Sequence, residues 1–294
     1  MRVSWIGRVG GSPFPASRGY LPTMCGRTTL TITPGDLEKT FGFPVPAGYR
    51  SSYNIAPTQS LLALAESRGE RALRQYRWGL IPYWAADASI GNRMINARAE
   101  TLATKSAFRE LFARRRCLVV VDGYYEWMKD PTRKRPHRVR HRSGGAFTLG
   151  GVWDRWRQGG QVMESCAIIT TASNTHLARL HDRMPLVIAG DDRESWLSRE
   201  TAPEKLPSLL DPYATDDLEM YEVSTLVNRP DNDSEECIEP VGDVNRSDVQ
   251  EDMAEPVQPI PDTRSGASRG VGADADGENY SLFNDLDQDS DGSH

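Results

Sequence analysis

The sequence predicts an α+β fold: one domain on an antiparallel, barrel-like β-sheet with peripheral helices, followed by a disordered acidic tail. Three observations predict it. Runs rich in branched and aromatic residues, bounded by turn signals, outnumber the helical patterns. They follow one another without a βαβ rhythm, which argues against a parallel, doubly wound sheet. Charge also divides the chain: residues 231–294 hold 18 acidic residues against 3 arginines, and the rest holds 23 acidic against 32 basic, so the overall −6 hides a basic body and an acidic end.

Residues 1–23 show neither strand alternation nor helical spacing, and they lack the apolar core of a signal peptide. The preferred reading is that translation starts at Met24 and that 1–23 form no part of the mature protein; a short flexible extension is the other reading. "TTLTIT", from Thr28, alternates as a strand. Thr33 as N-cap and Pro34 in the first turn open a helix through "TPGDLEKTFGF". "LLALAE" and "QYRWGLIPYW" read as strands, the second ending at Pro82. "TKSAFRELFARR" has helical spacing, with Phe108, Leu111 and Phe112 on one face.

"CLVVVDGYYEWMK", "HRVRHR", "AFTLGGVWD" and "CAIITTA" read as strands. "NTHLARL", "DRESWLS" and "APEKLPSLL" read as short helices. The domain is expected to span 24–242. The tail, 243–294, has too little apolar surface to offset its ordering entropy. Its apolar cluster, Tyr280, Leu282, Phe283 and Leu286, has roughly helical spacing and offers a docking point for a partner; a solvated tail is the plainer reading.

Composition excludes several classes. Cys25, Cys117, Cys166 and Cys237 are far apart and form no CxxC pair, which argues against zinc held by sulfur. His137 and His141 share a strand face in "RKRPHRVRHR", yet no carboxylate within the run completes a metal site. No metal and no cofactor are expected. No stretch reaches the about 20 apolar residues of a membrane span. Without an export signal, a reduced cytoplasmic setting is expected.

The motifs that carry chemistry are "MCGR", "YNIAP", "WGLIPYW", "INARAET", "DGYYEW", "ITTAS", "HDRMPLVI" and "NRPDNDSEECIEPV", in that order. Together, over roughly residues 24–241, they resemble the SOS response-associated peptidase family, whose members crosslink to abasic sites in single-stranded DNA. The resemblance implies that Met24 is removed and that Cys25 becomes the N-terminus. It implies abasic single-stranded DNA as partner and a monomeric protein. Contact with the replication machinery would fall to the acidic tail.

The chemistry can also be argued from the residues. An abasic deoxyribose opens to an aldehyde, which a neutral α-amine attacks to form an imine. The thiol of the same cysteine then adds to that carbon and closes a five-membered thiazolidine, an intramolecular step with high effective concentration. Lysine could form the imine but could not close the ring.

Glu126 between aromatic residues is a candidate general acid/base; an exposed strand glutamate is its ordinary alternative. His181 could protonate the sugar ring oxygen, or else simply be satisfied by Asp182. Asn96 has donors and an acceptor to orient the amine, or could be a turn or cap residue. Arg27 and Arg98 are candidate phosphate ligands. Trp84 and Trp78 are candidate stacking platforms, Trp84 better placed for a surface loop and Trp78 equally suited to a core. The resemblance favours the functional alternatives, and adds Thr170 of "ITTAS" to the DNA-contacting set. "RKRPHRVRHR" is compatible with a strand tracking a DNA backbone or with a solvated hairpin.

Two other functions fit the same residues. A cysteine peptidase of the N-terminal-nucleophile type would turn Cys25, Asn96, Glu126 and His181 on an amide, its own leader included. A noncovalent single-strand DNA-binding module would need no reactive cysteine.

Overall fold

Alternating and branched residues assemble into two sheets in the computed structural model, which describes residues 25–129, 134–214 and 216–242. The expected extension, 1–23, and the expected tail, 243–294, lie outside the described residues. The chain opens with β1 (Thr28–Leu30) and α1 (Pro34–Phe41), then β2 (Ser52–Ile55), β3 (Ser60–Ser67) and β4 (Glu70–Trp78). A long loop leads to β5 (Asn96–Arg98), α2 (Ala99–Leu102) and α3 (Arg109–Arg114). Next come β6 (Arg116–Val121), β7 (Gly123–Lys129), β8 (Lys134–His141), β9 (Phe147–Gln158) and β10 (Gln161–Ala172). The last are β11 (Arg183–Pro185), α4 (Asp192–Leu197) and β12 (Leu218–Glu222).

Strands β10, β4, β3, β6 and β9 pair in that order, and β9 pairs back with β10, closing a five-stranded barrel. Four of its five contacts are antiparallel, as expected, but β4 and β10 run parallel, with Cys166 opposite Trp78. An odd number of strands cannot alternate direction all the way round a ring, so one pair must be parallel. β10 then runs on past β4 to pair in parallel with β5, which sets Asn96 and Arg98 beside Ile168 and Thr170. Two hairpins have paired left-handed residues at their tips: Arg68–Gly69 (φ 56° and 77°) and Gly159–Gly160 (φ 56° and 76°). Positive φ at both central residues matches the twist of the flanking strands.

The second sheet has the order β12–β8–β7–β1–β2. Its join to the barrel is Asp122, which splits "CLVVVDGYYEWMK" into two strands belonging to different sheets. The buried Asp122 carboxylate accepts from Thr29 Oγ1, from the Thr31 amide at 2.7 Å and from Arg138 Nη2 at 3.2 Å. Gly123 follows because a Cβ there would lie 2.7 Å from Arg138 Nε and 2.8 Å from Thr29 Oγ1. One buried, paired charge thus locks β1 against β7 and β8.

Thr33 caps α1 through Asp36 N, and Gly42 (φ 74°) ends it in the left-handed conformation, as the local sequence demands. Phe108, Leu111 and Phe112 are buried together, although the helix they share is only α3. β4 stops at Trp78, short of Pro82. "NTHLARL" folds as turns rather than a helix, with Asn174 Oδ1 accepting from Leu177 N at 2.8 Å. "APEKLPSLL" makes two short 3₁₀ segments. Among the described residues, no helix is long and apolar enough to cross a membrane.

Candidate active site

Cys25 precedes β1 and adopts φ 42°, unusual for a residue with a Cβ. It is buried, and its main-chain nitrogen donates to Glu126 Oε2 at 3.0 Å. Burial pushes the Cys25 thiol well above its ordinary value, and the Glu126 carboxylate adds to the effect. Tyr124, buried beside them, is raised by burial and then by Cys25 and Glu126. The sulfur is therefore held as a neutral thiol.

Glu126 lies on β7, where side chains alternate. Tyr125 and Trp127 take the opposite face, as the sequence predicts: Tyr125 OH donates to Tyr53 O at 2.7 Å, and Trp127 Nε1 donates to Asn228 Oδ1 at 2.8 Å. Glu126 itself is only 8% exposed, so it is not the solvated strand glutamate that was the alternative. Directly across β8 stands His137, and across β12 from His137 stands Glu222, a row of one buried imidazole between two carboxylate residues. Burial lowers the proton affinity of His137.

His181 approaches from the turn before β11. Its Nε2 lies 4.0 Å from Glu126 Oε1, beyond a direct hydrogen bond, and its Nδ1 lies 2.7 Å from Asp182 Oδ1. The same Nδ1 is 3.2 Å from the Arg183 amide. A protonated Nδ1 donates to Asp182; a deprotonated one accepts from Arg183 and leaves the ring proton on Nε2, toward Glu126. Both tautomers have a partner, which suits a group that moves a proton. Asn96, at the start of β5, brings Nδ2 to 3.5 Å from Cys25 O, a long contact. The structure thus gathers Cys25, Asn96, Glu126 and His181 at one place.

The residues expected at the DNA separate into two groups. Trp84 is 54% exposed, and so is its neighbour Tyr83 at 59%, which the motif reading passed over. Their backbone is pinned: Tyr83 N donates to Asp154 Oδ2 at 2.8 Å, and Trp156 Nε1 donates to Ala85 O at 2.7 Å. Two rings therefore stand outward on a fixed loop, the loop that runs on to Asn96. Arg98 is also exposed, at the end of β5.

The other three differ from expectation. Trp78 is fully buried in the barrel, with Nε1 donating to Ile95 O at 3.0 Å, so it offers no stacking face. Thr170 is buried in β10, and its carbonyl accepts from Arg183 Nη2 at 2.6 Å. Arg27 spends its guanidinium on Asn54 Oδ1 at 2.8 Å, on Val227 O and on Asn228 O at 3.2 Å. These are internal acceptors, not phosphates. Arg183, another residue absent from the expected set, makes a two-pronged pair with Glu100 at 2.6 and 3.0 Å.

The basic run on β8 is neither a free DNA-tracking strand nor a solvated hairpin. β8 is an interior strand of its sheet, Arg138 is buried on Asp122, and Arg135 and Arg140 pair with Glu222 and Glu219.

A sequence model of the family described as SOS response associated peptidase matches residues 24–230. The chain is similar to the abasic site processing protein YoqW of Bacillus subtilis (strain 168), 42% identical over 222 residues that cover 74% of this chain and 99% of that one. It is also similar to the abasic site processing protein HMCES of Xenopus tropicalis, 29% identical over 261 residues, covering 73% and 78%. Among solved structures, a Bacteroides thetaiotaomicron protein superposes with a TM-score of 0.67 at 23% identity, over 74% of this chain and 100% of the other. That last likeness is one of fold.

Proposed function

The chain belongs to the SOS response-associated peptidase family, and from that premise we propose that it senses and processes abasic sites in single-stranded DNA by a covalent crosslink through Cys25. One observation carries the reading: the Cys25 nitrogen sits on the Glu126 carboxylate at 3.0 Å.

With Met24 removed, that nitrogen is an α-amine, and Glu126 is placed to take the proton that an α-ammonium must lose before it can attack. The amine adds to the C1′ aldehyde of the opened sugar, giving a carbinolamine. Loss of its hydroxyl as water, with a proton supplied by Glu126 or His181, leaves the imine. The Cys25 sulfur then bonds to the same carbon, its proton passing by way of Glu126 to the imine nitrogen, and the thiazolidine closes. One water leaves in all. His181, with two tautomers available, suits the transfer between the sugar ring oxygen and C1′ hydroxyl that opens the sugar. Asn96 faces the Cys25 carbonyl at 3.5 Å, and exposed Trp84 and Arg98 supply a stacking surface and a phosphate ligand.

Mixing protein that begins at Cys25 with single-stranded DNA holding one abasic site tests the reading by intact mass. The expected product weighs the sum of both less one water and survives heating in denaturant. Cys25→Ala keeps the amine but cannot close the ring, so it should give only a heat-labile adduct. No adduct from the unaltered protein would overturn the proposal.

A second reading rests on the same contact. While Met24 is attached, the nitrogen facing Glu126 belongs to the Met24–Cys25 peptide bond, so the carboxyl group is placed to protonate a leaving amine. Self-cleavage there would use Cys25 as nucleophile. Chain purified with its upstream residues should then lose them on standing, and Cys25→Ala should keep them.

A further inference from the structure

The three internal acceptors of Arg27 lead to a device that the crosslinking reading leaves unused. The last described segment, residues 224–242, crosses the outside of the five-stranded sheet as a strap. Two short 3₁₀ turns, Thr225–Asn228 and Glu235–Cys237, punctuate it. Val227 and Cys237 pack it against Tyr125, Trp127 Nε1 donates to Asn228 Oδ1, and one buried side chain gathers three of its carbonyls. Asn54, 1% exposed on edge strand β2, donates through Nδ2 to Asn232 O at 2.7 Å, Arg229 O at 3.1 Å and Val227 O at 3.3 Å. Asp233 Oδ1 answers in the other direction, accepting from Tyr53 N at 2.6 Å and Asn54 N at 3.1 Å. The remaining Asn54 atom, Oδ1, takes Arg27 Nη1.

Arg27 therefore stands between the strap and the segment that carries the nucleophile. On one side it reaches Asn54, Val227 O and Asn228 O; on the other its own carbonyl accepts from Tyr125 N at 3.0 Å, the residue before Glu126. Two residues upstream lies Cys25. With one residue, Gly26, between them, fixing Arg27 limits how far the Cys25 nitrogen and sulfur can move. A guanidinium is suited to this, since its rigid planar fork spreads its donors over acceptors that lie apart, whereas a lysine gathers its three donors on one compact ammonium.

We propose that Arg27 and Asn54 are positioning residues: through them the C-terminal strap, 224–242, clamps the N-terminal segment and holds Cys25 buried against Glu126. This rests on the crosslinking function above, and it assigns Arg27 to the nucleophile's placement instead of to DNA phosphate.

Arg27→Lys and Asn54→Ala test it, in chain beginning at Cys25. Three quantities are read: the single-turnover rate of adduct formation at saturating abasic DNA, the affinity of intact single-stranded DNA with its salt slope, and the labelling rate of each cysteine by a maleimide, resolved by peptide mass. The clamp predicts a rate loss of roughly 10²-fold in both variants, as for a small displacement of a reacting group. It also predicts faster labelling of Cys25, with DNA affinity and salt slope unchanged. Arg27→Lys keeps the charge, so a phosphate contact would largely survive it while the clamp would not.

Cys117 and Cys166, buried in the barrel, report on the whole fold. If Asn54→Ala exposes them too, Arg27→Lys decides by the same readouts. Unchanged Cys25 labelling and adduct rate would overturn the clamp. So would a silent Asn54→Ala beside an Arg27→Ala that weakens DNA binding and flattens the salt slope by about 0.7, the signature of one lost phosphate contact on single strands. If the unaltered protein forms no adduct, the crosslinking function fails, and Cys25 labelling in the two variants still decides the clamp.

Discussion

The main-chain nitrogen of Cys25 and the carboxylate of Glu126 meet at 3.0 Å although 101 positions separate them in the chain. Asp122 makes the meeting possible by binding β1 to β7 and β8, so that the start of the domain is led across the strand that carries the acid.

Glu126→Gln keeps the size of the side chain and its ability to accept from Cys25, but removes the base. Adduct formation should slow by about 10²-fold or more, the usual worth of a positioned general acid/base, with single-stranded DNA affinity retained. Single-turnover kinetics on abasic DNA checks this.

His181→Ala should also slow the reaction, by about 10²-fold. Asp182→Asn should change it little, because Asp182 is 81% exposed and a solvated partner contributes weakly. Equal damage from both substitutions would mean that the orientation of the ring, and not its proton, is what matters.

The two tryptophans of "WGLIPYW" should behave in opposite ways. Trp84→Ala removes an exposed ring and should weaken DNA binding by about 1–3 kcal/mol for the base it stacks on, leaving the melting temperature unchanged. Trp78→Ala empties a site in the barrel and should cost about 3–5 kcal/mol of stability. Fluorescence-polarisation binding and thermal melts, run on both variants, separate the roles.

Stability should fall in alkali. Burial raises Cys25, Cys117 and Tyr124 in the folded chain and pushes Cys166 up to about 12. Unfolded thiols lose their protons near pH ~8.5 and phenols near ~10. Above those values the unfolded chain binds fewer protons than the folded one, so the free energy of unfolding declines with rising pH. The contribution is fully present below pH ~8.5. Melting temperatures measured between pH 8 and pH ~11 should fall steadily, and a flat profile would contradict the burial of these groups.

Much of the architecture was legible. Thr33 and Pro34 open α1 by rules that act within one helical turn. Where the reading failed, longer-range contacts had decided. "NTHLARL" has helical spacing, but Asn174 Nδ2 donates to Tyr213 O at 2.9 Å, 39 residues further on, and the segment stays in turns. The run through "DGYYEW" looked like one strand because nothing local reveals that Asp122 hands the chain from one sheet to the other.

By itself the sequence determined the residues on offer and the kind of scaffold: a cysteine directly after Met24, an acid and a histidine in distinctive company, and strands too many for a helical fold. Only the tertiary structure decided which side chains remain for a ligand. Arg27 and Arg98 read alike, each two residues from a site residue, yet Arg27 is consumed by Asn54 and the carbonyls of Val227 and Asn228, while Arg98 is exposed. Trp78 and Trp84 divide the same way between core and surface. The reason is physical: alternation, caps and turns are set by sterics between near neighbours, whereas the partner of a half-buried guanidinium or a buried indole depends on strand register and on segments as distant as 227–228.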